Sequence, residues 1–327
     1  MTKMSSIIVD LVSRDRNNLP KLVQETLKNL EIRNKHSRDN AITFTEEDHT
    51  YYINGQKLDT SCTSVIKKFF DPFDALKIAN KLSYRLKNKK NSQYFGMTGE
   101  NIVEMWKKET DLGTMLHANV EFLMNSYKTN FPFDQYEFAQ DEIMLEMQYF
   151  TNIVEDFIDS GIIEPYRTEW LVYDEAIGVA GSIDIVFEEK KAIPSELFAE
   201  NDEGTWIKNR QKKIKPGDSG RRFWIFDWKR SKELKYKAYE KGNVCKIPGS
   251  FIDDCNFSSY SLQLNLYRTI LEKNYDIDIA GMALVVIHPN SDNYKVHLVP
   301  FLNSEMDYVY KDRINYMKTK TNKTTEK

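Results

Sequence analysis

Cysteine is scarce in this chain of 327 residues: Cys62, Cys245 and Cys255, with no CxxC spacing. Three at such separations exclude a four-cysteine zinc or iron–sulfur site and point to a reducing compartment. With only five histidines beside them, there are too few soft ligands for a soft-metal protein. Glycine (13) and proline (9) are too few for a collagen-like or Pro/Gly-rich chain. The longest clean apolar run, IAGMALVVI at 279–287, falls far short of the roughly 20 residues that a membrane span needs, so no membrane partner is expected. The opening MTKMSSIIVDLVSRDR sets Asp10, Arg14 and Asp15 inside its apolar stretch and makes a poor signal peptide. An intracellular setting is therefore expected: cytoplasm, nucleus or viral factory. There is no GxxxxGK[ST] loop, hence no recognisable ATP motor, and no internal repeat.

What is present is an ordinary globular balance, 41% hydrophobic and 29% charged. The net charge of −3 alone argues against a strong nucleic-acid binder, but the charge is unevenly spread. Residues 208–241 hold 13 Lys/Arg and four acids. Residues 75–99 hold six basic residues, Lys77 to Lys90, and no acid. Each run alone is equally well a solvated face. Two of them flanking carboxylates have the form of phosphate tracks beside a metal site. Tyr84, Tyr94, Trp206, Tyr236 and Tyr239 lie in or beside these runs, where aromatic rings can stack bases.

Apolar spacing predicts helix over 6–34 with a break near Asn17–Pro20, and a hairpin over 42–58 with Asn54-Gly55 as its turn. A short helix from Thr63 and a basic helix over 73–90 follow. Helix is predicted over 99–127, interrupted near Asp111–Gly113, and over 140–160. Strands are then expected at 167–173, 179–188 and 224–229, a helix at 259–273, and strands at 282–287 and 294–299. From about Lys318 the Lys/Thr-rich tail reads as disordered. Strands following one another without helices between them indicate an α+β, mixed-sheet fold. The polar stretch 190–222 is long for a loop.

On a strand, alternation puts Ser182, Asp184 and Val186 on one face, and Asp227 and Lys229 on another shared face with Trp228 opposite. Two carboxylates among apolar neighbours need a partner. A plain Asp184–Lys229 ion pair would provide one; a divalent cation would provide another, since magnesium takes hard carboxylate oxygens. His117 and Glu121, and likewise Gln263 and Tyr267, are four apart on helices and share a face. Each also reads simply as a packed or exposed polar residue. Glu169 precedes Asp184 on the neighbouring strand, where it reads equally as an edge charge.

GTMLH with Glu121, then Glu169, AGSIDIVF, FDWK and QLNLY, in this order, resembles the PD-(D/E)XK nuclease superfamily, in particular its RecB-type and stand-alone exonuclease branch, over about residues 42–300. The 43-residue gap from Asp184 to Asp227 exceeds that family's short hairpin, and the 190–222 insertion accounts for it. The resemblance implies a restriction-endonuclease-like αβββαβ core: a mixed central sheet flanked by helices at 96–305, a mostly helical N-terminal extension with a hairpin at 1–95, and a basic tail at 306–327. It implies magnesium or manganese held by Asp184, Asp227, His117 and the Trp228 carbonyl. Lys229 would orient the attacking water, Gln263 would hold water, lysine or strand, and Glu121 and Glu169 would serve a second metal or hydrogen-bond to the ligands. Tyr267, Lys208, Arg210, Lys212, Lys213, Arg221, Arg222, Arg230 and Lys232 would contact nucleic acid. The implied activity is ATP-independent hydrolysis of DNA from ends or single strands in replication, recombination or repair, with a single-strand-binding or recombination protein as the implied partner. An endonuclease of the same fold and a non-catalytic nucleic-acid-binding subunit are the alternatives. The Lys-, Asn- and Ile-rich composition is that of an AT-rich genome and suits a virus or phage.

Overall fold

The computed structural model describes residues 7–12, 16–199, 220–240 and 242–325. In chain order it begins with β1 (Ile7–Val9), α1 (Lys21–Leu27) and α2 (Asn29–Arg33). A small antiparallel sheet follows, of β2 (Ile42–Thr45), β3 (Thr50–Ile53) and β4 (Gln56–Lys57). Next come α3 (Cys62–Lys67), α4 (Ala75–Leu86), α5 (Gly99–Ser126), β5 (Tyr136–Phe138) and α6 (Met144–Ile153), which continues as a π-helical turn over Val154–Asp159. The second half supplies β6 (Ile163–Asp174), β7 (Val179–Glu189), β8 (Arg222–Lys229), α7 (Asn256–Asn274), β9 (Asp278–Val286), β10 (Lys295–Val299) and α8 (Asn303–Thr325).

The architecture is α+β with sheets of mixed orientation. Its centre is a five-stranded sheet in the order β10-β9-β8-β7-β6, in which only β8 and β9 run parallel. Apolar side chains cover both faces, which is why β9 reads as a continuous apolar run rather than an alternating one. On one face Leu116 and Val120 of α5 and Phe150 and Ile153 of α6 pack on Ile185, Phe226 and Trp228. On the other, Leu262, Leu266 and Ile270 of α7 pack on Ile225, Met282 and Leu284, with Ile66 of α3 and Val309 of α8 in the same cluster.

Four expectations change. Residues 7–9 are strand, paired in parallel with β5, and after a 3-10 turn at Arg16–Asn18 the first α-helix begins at Lys21. The Ile7–Val9 run is β-branched throughout and finds a sheet partner that outweighs its helical spacing. Helix α5 runs unbroken through Gly113, because one interior glycine costs only about 1 kcal/mol against a long packed face. Asn54 and Gly55, with φ of 49° and 76°, do form a two-residue turn, but it joins β3 to β4 rather than β2 to β3. The tail is helical to Thr325, because Met306, Val309 and Tyr310 bury an apolar stripe in the core.

Two details position the site. The ladder between β7 and β8 is short, Ile185–Glu188 against Phe223–Phe226, so Asp227 to Lys229 project beyond it with β9 on one side only. Helix α5, capped by Thr98 and Asn101, runs past this end.

Candidate metal and catalytic centre

Where the ladder stops, side chains replace it. Asp184 Oδ2 accepts the Trp228 N–H at 3.0 Å. His117 Nε2 donates to the Trp228 carbonyl at 2.9 Å, and since a carbonyl only accepts, this fixes Nε2 as the protonated nitrogen. The ring's Nδ1 then faces Asp184 Oδ2 at 3.5 Å. A lone pair facing a carboxylate is repulsive unless a cation or proton lies between.

Glu169 sits opposite Asp184 across β6 and β7, between the pairs Thr168–Ile185 and Trp170–Ile183. It has a left-handed backbone, φ 41°, which a non-glycine residue adopts only under local constraint. Ser182 Oγ donates to Glu169 Oε2 at 2.8 Å. Burial, then the charges of Asp184 and Glu121, push the Glu169 carboxyl well above the usual range.

One ligand atom from each of His117, Glu169 and Asp184 lies within 4.8 Å of the others. Donors about 2.0–2.1 Å from magnesium are spaced about 3.0–4.2 Å apart, so a set spread within 4.8 Å would have to close up around such a cation; the two carboxylates are hard ligands, the imidazole a softer one. An imidazole that donates its second N–H to a backbone carbonyl is the usual support of a ligating histidine. In this geometry the Trp228 carbonyl, expected as a ligand, orients His117 instead.

Asp227 is 5% exposed and paired with Lys229, the residue two along the same strand face. Its Oδ2 is buried against the ammonium without a well-aligned hydrogen bond. Burial, with Asp184 adding to it, pushes the Asp227 carboxyl up to about 6 against the opposing pull of Lys229 and His117. For Lys229, burial disfavours the charge, but Asp227 and Asp184 together raise the ammonium above its ordinary value. The ion pair is thus Asp227–Lys229, not Asp184–Lys229, while Asp184 stays in electrostatic reach of both.

Helix α7 closes the other side. Gln263 Nε2 donates to the Tyr267 hydroxyl at 3.0 Å. Tyr267 is buried over Gly181, where a Cβ would come within 2.6 Å of its ring. It therefore supports the floor of the site rather than facing outward. Lys229 Nζ rests 4.7 Å above the Tyr260 ring. Tyr260, overlooked in the sequence, is three residues before Gln263 and seven before Tyr267, a spacing that marks one helix face.

The remaining expected residues divide. Glu121 is 7% exposed and held by both guanidinium nitrogens of Arg16, at 2.9 and 2.8 Å. Arg16, 105 positions away, gave no signal. Arg221 is doubly bonded to Glu188, Arg222 pairs with Glu189, and Arg230 is buried between Glu146 and Glu109. Lys232 donates to Gln93 at 2.5 Å. Tyr236 packs on Phe257 and bonds His297. Lys208, Arg210, Lys212, Lys213 and Trp206 lie outside the described residues.

No model of a known protein family matches the chain, and no curated protein matches it.

Proposed function

We propose that the chain is a divalent-metal-dependent nuclease of the PD-(D/E)XK type, hydrolysing DNA phosphodiester bonds without ATP. The observation that carries the reading is the convergence on Trp228. Asp184 holds its N–H and His117 its carbonyl, with Glu169 beside them and the buried Asp227–Lys229 pair on either side in sequence. The succession α6, β6, β7, β8, α7, β9 also supports it, since it is the αβββαβ order the resemblance implies.

His117, Asp184 and Glu169 would hold magnesium or manganese, with Asp227 adjoining. When bound, such a cation would supply positive charge for the scissile phosphate and would lower the pKa of a bound water. Lys229, fixed by Asp227 and the Tyr260 ring, presents its ammonium toward developing negative charge and orients water by donating to it. Gln263 holds the Tyr267 hydroxyl and leaves its carbonyl oxygen for a water or the lysine. Exonucleolytic action is the favoured mode. The test is digestion of end-labelled linear and closed circular DNA, with and without magnesium or manganese. Metal-dependent loss of the linear form alone is expected; cutting of the circle would make the enzyme an endonuclease, and no cutting of either would overturn the catalytic reading.

A further inference from the structure

The two basic runs fare differently on folding. Among the described residues of the later one, Arg221, Arg222, Lys229, Arg230 and Lys235 pair with carboxylates and Lys232 bonds Gln93. In the earlier one, Lys77, Lys81, Arg85, Lys87, Lys89 and Lys90 are not in any ion pair among the described residues, and all six are exposed. Uncompensated positive charge on a helix face is what a polyanion neutralises.

Aromatic rings stand in the same place. Tyr84 is 82% exposed on α4 and Tyr239 is 86% exposed. Arg85 Nη1 donates to the Tyr239 hydroxyl at 3.0 Å, which brings the two rings' segments together. Beside Tyr84 an open depression of about 670 Å³ runs along Lys77 and Lys81. Exposed tyrosine rings offer flat faces on which bases stack, and a row of bases with phosphates 3′ and 5′ to each is the ligand that matches rings interleaved with cations.

The patch is also anchored to the candidate centre. Helix α4 approaches the start of α5 so closely that a Cβ on Gly99 would overlap Asn80, and Ser83 Oγ donates to the Met97 carbonyl at 2.7 Å. The same α5 carries His117. The segment that follows Lys229 is tied to the patch by Lys232 on Gln93 and by Tyr239 on Arg85. We infer that α4 and the 231–240 segment form a binding platform for single-stranded DNA, with Tyr84 and Tyr239 stacking bases and Lys77, Lys81 and Arg85 contacting phosphates. The inference deepens the nuclease reading and rests on it for the strand's course toward His117.

Binding is measured apart from hydrolysis, with the full chain in chelator and a fluorescent 15-mer single strand or the matching duplex, across a salt series. The platform predicts tighter binding of the single strand than of the duplex. Tyr84→Ala and Tyr239→Ala each weaken the single strand about tenfold, while Tyr84→Phe retains it. Replacing Lys77 and Lys81 together by Gln lowers the slope of log K against log salt by about 1.4. Equal affinity for duplex, or unchanged affinity in both alanine variants, would overturn the inference. Failure of the nuclease reading would appear only in the hydrolysis assay and would leave these binding results standing. Both tyrosines are at the surface, so the variants should fold as the wild type does.

Discussion

Trp228 contributes its backbone rather than its side chain, and that choice shapes what each neighbouring residue does. Its indole is buried against Phe150, leaving N–H and carbonyl to Asp184 and His117. Asp184→Asn keeps an oxygen for the Trp228 N–H but removes the charge a cation needs. Its unfolding midpoint should stay near wild type while metal-dependent hydrolysis falls by about 10²–10³; an equal loss of stability would mean that Asp184 is chiefly structural. Gly181 is the complementary case, since its missing side chain makes room for Tyr267. Gly181→Ala should destabilise by about 1–3 kcal/mol in chemical denaturation, with part recovered by adding Tyr267→Leu. Residue types picked out side chains that the fold brings near one another: Asp184, Asp227, Lys229, His117, Gln263 and Tyr267 lie toward one end of the sheet. Sequence alternation could not foretell that Lys229 would choose Asp227 over Asp184, because that depends on where the β7–β8 ladder ends.

Helix α5 does two jobs along its length. Its middle brings His117 to β8, and the preceding turns bring Glu109 to Arg230, past Gly113, whose absent Cβ would lie 3.9 Å from Arg230 Cβ. Arg230 is shared with Glu146 of α6, so it ties both helices to the sheet's end. Arg230→Met leaves Glu146, 2% exposed, as a buried charge without that partner, and should cost about 3–5 kcal/mol. Denaturant melts of Arg230→Met with and without Glu146→Leu check this, and the double variant should recover much of the loss. Element types were legible where the apolar period was long, as in α4, α6, α7 and β7. They were misread where a partner distant in sequence decided. Ile7–Val9 is strand because Tyr136–Phe138 pairs with it, and the helical tail is held by a core it reaches only after folding.

At the scale of the molecule, burial of polar groups sets the response to acid. His297, partly buried beside Tyr236, accepts or donates a hydrogen bond at 2.6 Å and is pushed down to about 4 by burial, with Lys295 adding to the shift. Burial lowers His36 and His288 as well. The sign follows from linkage: as pH falls below about 6.5, the unfolded chain takes up protons that folded His297 refuses until about 4, so its contribution to stability is lost across that window. Asp227 and Glu169, raised in the fold, act in the opposite sense, so the histidine part is read by difference. His297→Gln should lose less stability than wild type between pH 7 and pH 4.5 in denaturant melts. No helix among the described residues is long and apolar enough to cross a membrane.

The most direct test of the central claim is the rate at which wild type, Asp184→Asn and Lys229→Ala shorten an end-labelled single-stranded DNA in magnesium or manganese. The account predicts metal-dependent shortening by wild type that falls by at least about 10² in both variants. Equal rates in all three proteins, or shortening that persists in chelator, would contradict it.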